Sequence, residues 1–564
     1  MATALARPAV VVVLLTLLCG LVRTIGHDHL LPCAPEPDGL VLHTQVEVLE
    51  RGAEGDRTQH LYGFYPLLTA RIVALLTDAP RPDDVERTLA DELERAAAHR
   101  ARIRLVVAWL SALGTPFVFL IARRFMAEPW ALCAAALFAF DPFVLWFAQQ
   151  ARPHAAFTAW TAATLWAALA LARNAGWREC LVAALCAGGA LSTLQSGASL
   201  FVPLFLATSW SVRSLAAAGR VACALGVVAL LAWWSYPATG AAESAVSAGQ
   251  GTLQLSGHKM DLSIFNGAGF AKVWAAVRDY DPVLLASTLA AAAALVFALS
   301  RARAASAPSD ARREAWTLFA WCAAYLLAIG LYQRTYQRFA LPLVPAACVL
   351  AAGGAAALAA RRKLVGFGLA AVALACQAGL AIGVARARAG EDTLELAARA
   401  VEQHVPRGER LAFMPTVELP LWMDQASAER NAKAMDDPAF PWFQWRLRSR
   451  GGPPEGREMV ALPLSLPSER EAARADPAAF LARLDARWFV IEDQTGRRPV
   501  LVALREELKR SARLVARFSP HADPAESLPL AYQDDEFGRS LPWTWRLASG
   551  GRAGPVVELW RLGD

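Results

Sequence analysis

Apolar residues along this chain come in long unbroken runs, and the charged residues stand between the runs rather than inside them. Residues 129–148 (PWALCAAALFAFDPFVLWFA) show the type, and 155–172, 221–237 and 338–360 repeat it. Each run is about as long as the ~20 residues a helix needs to cross ~30 Å of hydrocarbon. Buried helices of water-soluble proteins reach that length too, but not repeatedly with charged punctuation. The pattern predicts a polytopic α-helical membrane protein of about eleven spans, near 8–22, 104–122, 129–148, 155–172, 179–193, 196–210, 221–237, 282–299, 315–331, 338–360 and 364–384.

Composition agrees, with 55% hydrophobic and only 19% charged residues in a chain of 564. The net charge of +6 matters through its placement. Alternate loops carry Arg123 and Arg124; Arg173 and Arg178; Arg213 and Arg220; Arg301, Arg303, Arg312 and Arg313; and Arg361, Arg362 and Lys363. The positive-inside rule puts these loops and the N-terminus in the cytoplasm and the C-terminal region outside, in a multi-pass protein of the cytoplasmic membrane. Residues 65–78 (YPLLTARIVALLTD) are apolar but short and interrupted by Arg71, so they read as a helix lying on the outer surface. Residues 1–22 resemble a signal peptide in hydrophobicity, but no clear small-x-small cleavage site follows them.

Of the nine cysteines only Cys33 falls in an outer loop, and no Cys/His spacing suggests zinc or haem. No metal or cofactor is expected. The outer segments 23–103, 238–281 and everything after 385 are long, whereas the cytoplasmic loops are short. Within the first, DDVERTLADELERAAAHR reads as a solvated surface helix. The chain therefore divides into a membrane domain, 1–385, and an extracytoplasmic α/β domain, 386–564. In the latter, strands are expected at 410–415, 487–493 and 555–562, and helices at 392–404, 469–484 and 498–516. It contains no Gly-rich phosphate loop and no nucleophile elbow.

Four stretches, taken in order, resemble a known superfamily. PDGLVLHTQVEVLERG (37–52) and HLYGFYPLL (60–68) lie in the first outer segment; QRFALPLVPAACVLAA (337–352) opens a span; EDTLELAARAVEQHVPRGERLAF (391–413) leads into the outer domain. Together they resemble the GT-C membrane glycosyltransferases, especially the protein O-mannosyltransferases and aminoarabinose transferases. The resemblance implies sugar transfer from a polyprenyl-phosphate donor to a lipid, glycan or protein acceptor on the outer face, usually with inversion, and no nucleic-acid partner. Such chemistry needs a carboxylate to take the acceptor's proton, and cationic groups to hold the departing phosphate.

On that resemblance Asp38, in the turn APEPDG, matches the catalytic base, although Gly39 stands where the family often has Glu. An Asp-Gly pair is also a common turn. Asp28, flanked by His27 and His29, is the second choice. The turn QQARPHAAF (149–157) offers Arg152 for phosphate, with His154 where relatives carry an acid or a tyrosine. Arg at a span end is otherwise an interfacial anchor. Gln195, at the tight turn after 179–193, matches a polar position of the family and also suits a hairpin cap. His258 and Lys259, in SGHKMD (256–261), and Arg334 and Arg338, in YQRTYQR (332–338), complete the expected binding set. Positive charge outside runs against the usual bias, and phosphate binding explains it.

Two other classes compete. A transporter would carry ionisable groups deep within its helices, often in an inverted repeat; apart from Asp141, beside Pro142, the runs contain almost no charge and no repeat is visible. A non-catalytic scaffold of envelope polysaccharide synthesis fits the same architecture, and His154 leaves room for it.

Overall fold

A computed structural model describes residues 2–31, 42, 46, 65–76, 89–235, 253–255, 258–260, 262–301, 309–414, 419–435, 456–464, 466–492, 499–520 and 543–563. The chain forms two compact units. One takes Met1–Ile25, Val41–Ala79 and Arg102–Ala385, and the other Gly26–Leu40, Pro80–Ala101 and Arg386–Asp564.

The first unit is helical. Its helices are α1 (Ala2–Thr24), α2 (Tyr65–Leu75), α3 (Leu89–Ala112, begun in the other unit), α4 (Gly114–Ala122), α5 (Glu128–Ala139) and α6 (Pro142–Ala148). There follow α7 (His154–Arg173), α8 (Trp177–Thr193), α9 (Phe201–Ser211), α10 (Leu215–Ser235), α11 (Ala268–Tyr280), α12 (Pro282–Arg301), α13 (Ser309–Leu331), α14 (Val344–Arg361) and α15 (Lys363–Ala389). Large apolar side chains such as Leu14, Phe205, Leu230, Phe319 and Val372 point outward from them. In water such a surface would be an aggregation liability; against lipid it is the natural outer face.

Six helical segments among the described residues are long and apolar enough to cross a membrane, or seven when the bent pair α5–α6 is taken as one span. That corrects the expectation of about eleven. The runs at 179–193 and 196–210 lie on short helices, and those at 8–22 and 282–299 lie on α1 and α12, whose apolar stretches fall short of a span among the described residues. Apolar helix is described over Pro8–Thr24 and Pro282–Ala293, and α8 has 17 residues. The run at 196–210 is divided between a 3-10 helix, Gln195–Leu200, and α9. Apolar composition counts residues, whereas a span needs them on one unbroken axis. The acidic stretch expected as a separate surface helix is continuous from Leu89 with the apolar half of α3. Short α2 buries Tyr65, Thr69 and Val73 along one face and exposes Arg71 and Leu75 on the other, the division expected of a surface helix.

One end of this bundle is tied by charge. Glu314, fully buried near the start of α13, takes Arg173 from the end of α7 (Nη2 to Oε2, 2.9 Å) and Arg124 from the α4–α5 turn (3.3 Å). Arg220 of α10 donates through Nε to the carbonyl of Ala175 at 2.7 Å. Three of the arginine-bearing loops therefore share an end. The 20 residues of α7 put its opposite terminus about 30 Å away.

The second unit carries a five-stranded sheet in the order β4-β3-β5-β7-β6. The strands are β3 (Leu411–Phe413), β4 (Met459–Ala461), β5 (Trp488–Glu492), β6 (Ala512–Phe518) and β7 (Val557–Leu562). Strands β4, β3 and β5 run parallel; β7 is antiparallel to both β5 and β6. The first two strands of the chain, β1 (Leu253–Leu255) and β2 (His258–Met260), form a separate antiparallel pair in the other unit. Helix α16 (Thr393–His404) starts at a capping box between Asp392 and Glu395 and buries Leu394, Ala397, Ala398 and Val401, a helical stripe. Asp392 is held in addition by His29 Nε2 at 3.0 Å. The core under the sheet includes Leu411, Phe413, Phe489, Val490, Leu504 and Leu559.

At 498–516 helix gives way to strand: α17 (Pro499–Ser511) stops and ARLVARF continues as β6, because β7 offers it a pairing edge. The helix expected over 469–484 is broken at Asp476–Pro477 into Pro467–Ala475 and Pro477–Arg483, since proline cannot donate into the preceding turn.

Candidate functional site

The far end of α7 is shaped by two prolines. Pro142 breaks the α5–α6 helix by 44°, with Asp141 capping the new start through a bond from Val144 N at 2.7 Å. Helix α6 is seven residues long, PFVLWFA, and delivers the chain to the turn Gln149–Pro153. Pro153 then occupies the N-cap position of α7, so that His154 is its first residue. This places Arg152 and His154 inside the protein at 3% and 7% exposure.

The partner segment is the 3-10 helix Gln337–Leu343, which packs on α7 and leads into α14. Phe339 stacks on the His154 ring, with centroids 6.4 Å apart and planes 24° apart. The Arg338 guanidinium lies 4.3 Å over the Tyr336 ring and 5.6 Å from that of Phe339. Arg152 and Arg338 both act electrostatically on His154. Arg338, from a distant part of the sequence, thus joins Arg152 and His154 in one electrostatic cluster, with Phe339 stacked on the imidazole and Tyr336 under the Arg338 guanidinium.

Beside them Gln337, 1% exposed, accepts a hydrogen bond from the Tyr280 hydroxyl at 2.9 Å. Tyr280 stacks on Phe143 of α6 (4.9 Å, 25°). His154 Nδ1 and Gln337 Nε2 are buried without a hydrogen-bond partner among the described residues. Leaving such groups unmade costs about 1–3 kcal/mol each, and a polar ligand would satisfy them.

The turn before Arg338 is held from outside. Gly267 N donates to Leu331 O and Gln333 N to Ile264 O, while Phe265 bridges to Tyr332. Gly269 lies against the end of α13 so closely that an added Cβ would fall 2.0 Å from the Ile329 carbonyl. Gly269→Ala is therefore expected to push this turn away and destabilise the chain by about 1–3 kcal/mol. Thermal unfolding in detergent measures this, and an unchanged melting temperature would show that the contact is dispensable.

Of the residues singled out from sequence, Arg152, His154 and Arg338 are brought together. Arg334 is exposed in the turn four residues before Arg338, and Gln195 is exposed at the start of its 3-10 helix. His258 and Lys259 lie on β2, their backbones paired with Leu255 and Gln254; their side chains are outside the described residues. Asp38 lies outside the described residues as well. Asp28 is exposed in the turn after α1, and its neighbour His29 is committed to Asp392. Gln337, Tyr280, Phe339 and Phe143 were not singled out for this site. The only sequence signal was adjacency, since Gln337 and Phe339 flank Arg338.

No protein-family profile and no curated protein matches the chain. Among solved structures, it is similar to the Archaeoglobus fulgidus oligosaccharyltransferase in its apo form, at 13% identity and a TM-score of 0.47, covering 91% of this chain and 73% of that one. The same archaeal enzyme, AglB, in complex with an inhibitory peptide and a dolichol-phosphate gives 12% identity and a TM-score of 0.46, with coverage of 91% and 73%. ArnT from Cupriavidus metallidurans bound to undecaprenyl phosphate gives 14% identity and a TM-score of 0.43, covering 90% of this chain and 96% of that one. These are distant likenesses between polytopic chains, and the functional reading rests on this chain's own residues.

Proposed function

We propose that the chain is a glycosyltransferase that moves a sugar from a polyprenyl-phosphate donor to an acceptor hydroxyl at the outer face of the cytoplasmic membrane, with inversion at the anomeric carbon. The observation that carries this reading is the convergence of Arg152, His154 and Arg338 at one end of α7, beside the unpartnered His154 Nδ1 and Gln337 Nε2. Arginine's forked donors suit a phosphate, and a half-buried setting strengthens the pairing. The Glu314 end of the bundle is then cytoplasmic and the Arg152 end extracytoplasmic, with the N-terminus inside and the sheet-bearing unit outside. The donor's isoprenoid chain remains in the hydrocarbon alongside the apolar outer faces of the helices.

In this reading Asp38 takes the proton of the acceptor hydroxyl. The acceptor oxygen bonds to the anomeric carbon while the bond from that carbon to the phosphate oxygen breaks. The electron pair leaves with the polyprenyl phosphate, whose charge Arg152 and Arg338 stabilise. His154 and Gln337 donate to remaining phosphate or sugar oxygens. Gln195, His258, Lys259 and Arg334 are proposed to line the approach of donor or acceptor.

Membranes containing the chain, supplied with polyprenyl-phosphate sugars, test this. Asp38→Asn is expected to lower transfer by about 10²–10⁴-fold, the usual contribution of a positioned base. Wild-type transfer by that variant would remove Asp38 from the role. Absence of transfer by either protein across donors would favour the scaffold reading, which His154 supports by standing where the family carries an acid.

A further inference from the structure

Deep in the helical unit lie two Asp-Pro breaks that the proposed reaction does not use. Asp141–Pro142 divides α5 from α6, and Asp281–Pro282 divides α11 from α12. Each aspartate caps the helix that follows: Asp141 Oδ1 accepts from Val144 N at 2.7 Å, and Asp281 Oδ1 from Leu284 N at 2.8 Å. Asp281 Oδ2 accepts from Gln377 Nε2 of α15 at 2.6 Å. Both carboxyls are completely buried and interact through their side chains, and the rings beside them in the chain, Phe143 and Tyr280, stack at 4.9 Å. Yet Asp141 Oδ2 has no donor among the described residues.

Two carboxylates cannot hydrogen-bond to each other, because neither has a hydrogen to give. The neighbouring charges do not rescue them. Arg23 of α1 acts electrostatically on Asp141, but its Nη1 donates to Ser111 Oγ and its Nη2 to the Phe138 carbonyl, both at 2.9 Å. Among the described residues, Cys19 of α1 and Cys348 of α14 also lie near the pair, and a thiol carries no positive charge in either form. Among the described residues, one buried cation therefore stands beside the two buried carboxyls. A single proton balances that charge and also supplies the missing donor.

We propose that Asp141 and Asp281 share one proton, and that this proton-bridged pair is a positioning device that pins the two helix breaks together. Its consequence runs to the site through both arms. Helix α6 starts at the pair and ends at the turn bearing Arg152 and His154. Tyr280, directly before Asp281, stacks on Phe143 and bonds to Gln337, the neighbour of Arg338. The inference stands independently of the sugar-transfer reading, since it requires no donor or acceptor.

Infrared spectroscopy of the purified full-length chain in detergent tests it. A carbonyl stretch of a protonated carboxyl is expected at neutral pH and is expected to disappear in both Asp141→Asn and Asp281→Asn. An asparagine amide can replace the shared proton as donor, so both variants should fold. Raising the pH from neutral to alkaline should lower the melting temperature of the wild type by about 5 °C or more and leave the two variants much less affected. A band that survives both substitutions, or variants that lose stability with pH as the wild type does, would overturn the proposal. So would the absence of the band from the wild type at neutral pH, whatever the variants do.

Discussion

Replacing Arg338 with alanine is expected to lower sugar transfer by about 10²–10³-fold, the range found when a single group stabilising transition-state charge is removed. The loss should fall mainly on kcat, because the phosphate gains negative charge only as the sugar leaves. Arg152→Ala should behave alike, and lysine at either position should restore only part of the rate, since it keeps the charge but loses the fork. Arg338 also packs against the aromatic rings. Its guanidinium lies over Tyr336, and His154 stacks on Phe339, so truncation removes both a charge and a support. Single-turnover transfer with saturating polyprenyl-phosphate sugar makes the measurement. Rates within about twofold of wild type for both alanine variants, against that 10²-fold expectation, would take the phosphate role from this cluster.

The second large effect belongs to the sheet-bearing unit. Glu558 of β7 is buried and takes Arg505 Nε at 2.8 Å and Nη2 at 2.6 Å, with Trp560 Nε1 donating to it at 3.2 Å. Arg517 of β6 approaches it at 3.6 Å. Removing the carboxylate leaves cations facing an apolar core, and Glu558→Ala is expected to cost about 3–5 kcal/mol. In a unit of this size that lowers the melting temperature by roughly 10 °C, readable in the full chain by the fluorescence of Trp560 and Trp488. The double variant Glu558→Leu/Arg505→Met should recover most of the loss, because a packed apolar pair needs no compensation. Equal losses in the single and double variants would mean that the cost is packing rather than unpaired charge.

Much of the fold was legible in the sequence because hydrophobicity is a local property. The runs at 155–172, 338–360 and 364–384 correspond to α7, to the 3-10 helix with α14, and to α15. Strands β5 and β7 fall where β-branched and aromatic residues cluster, and β3 on a short apolar run. What the sequence concealed was non-local. The three residues of β4 form a strand only because β3 lies beside them. ARLVARF continues a helical-looking run and turns to strand only because β7 accepts it. Span number was overcounted in part because the apolar runs 179–193 and 196–210 lie on α-helices of only 17 and 11 residues. At the site, Arg152 stood out through its Arg-Pro turn, and Arg338 because positive charge on the outer side runs against the usual bias. Tyr280 did not stand out, because nothing local marks a tyrosine whose partner, Gln337, is 57 positions away. The Asp141–Asp281 pairing was hidden likewise; Asp141 was conspicuous, but its partner was not.

Helix α13 has a consequence for how the chain is made. It carries Glu314 near its start, and its end leads through Thr335 to Arg338. The Glu314 bonds span 190 residues to Arg124 and 141 to Arg173, while Arg338 closes on a turn laid down before α7. During synthesis, Arg124, Arg152, His154 and Arg173 are therefore all in place long before the groups that meet them. A ribosome halted ahead of α13 would hold a bundle open at both ends, and insertion of that one hairpin would close the two together. Substitutions at Glu314 are therefore expected to be felt first as lost yield during biogenesis.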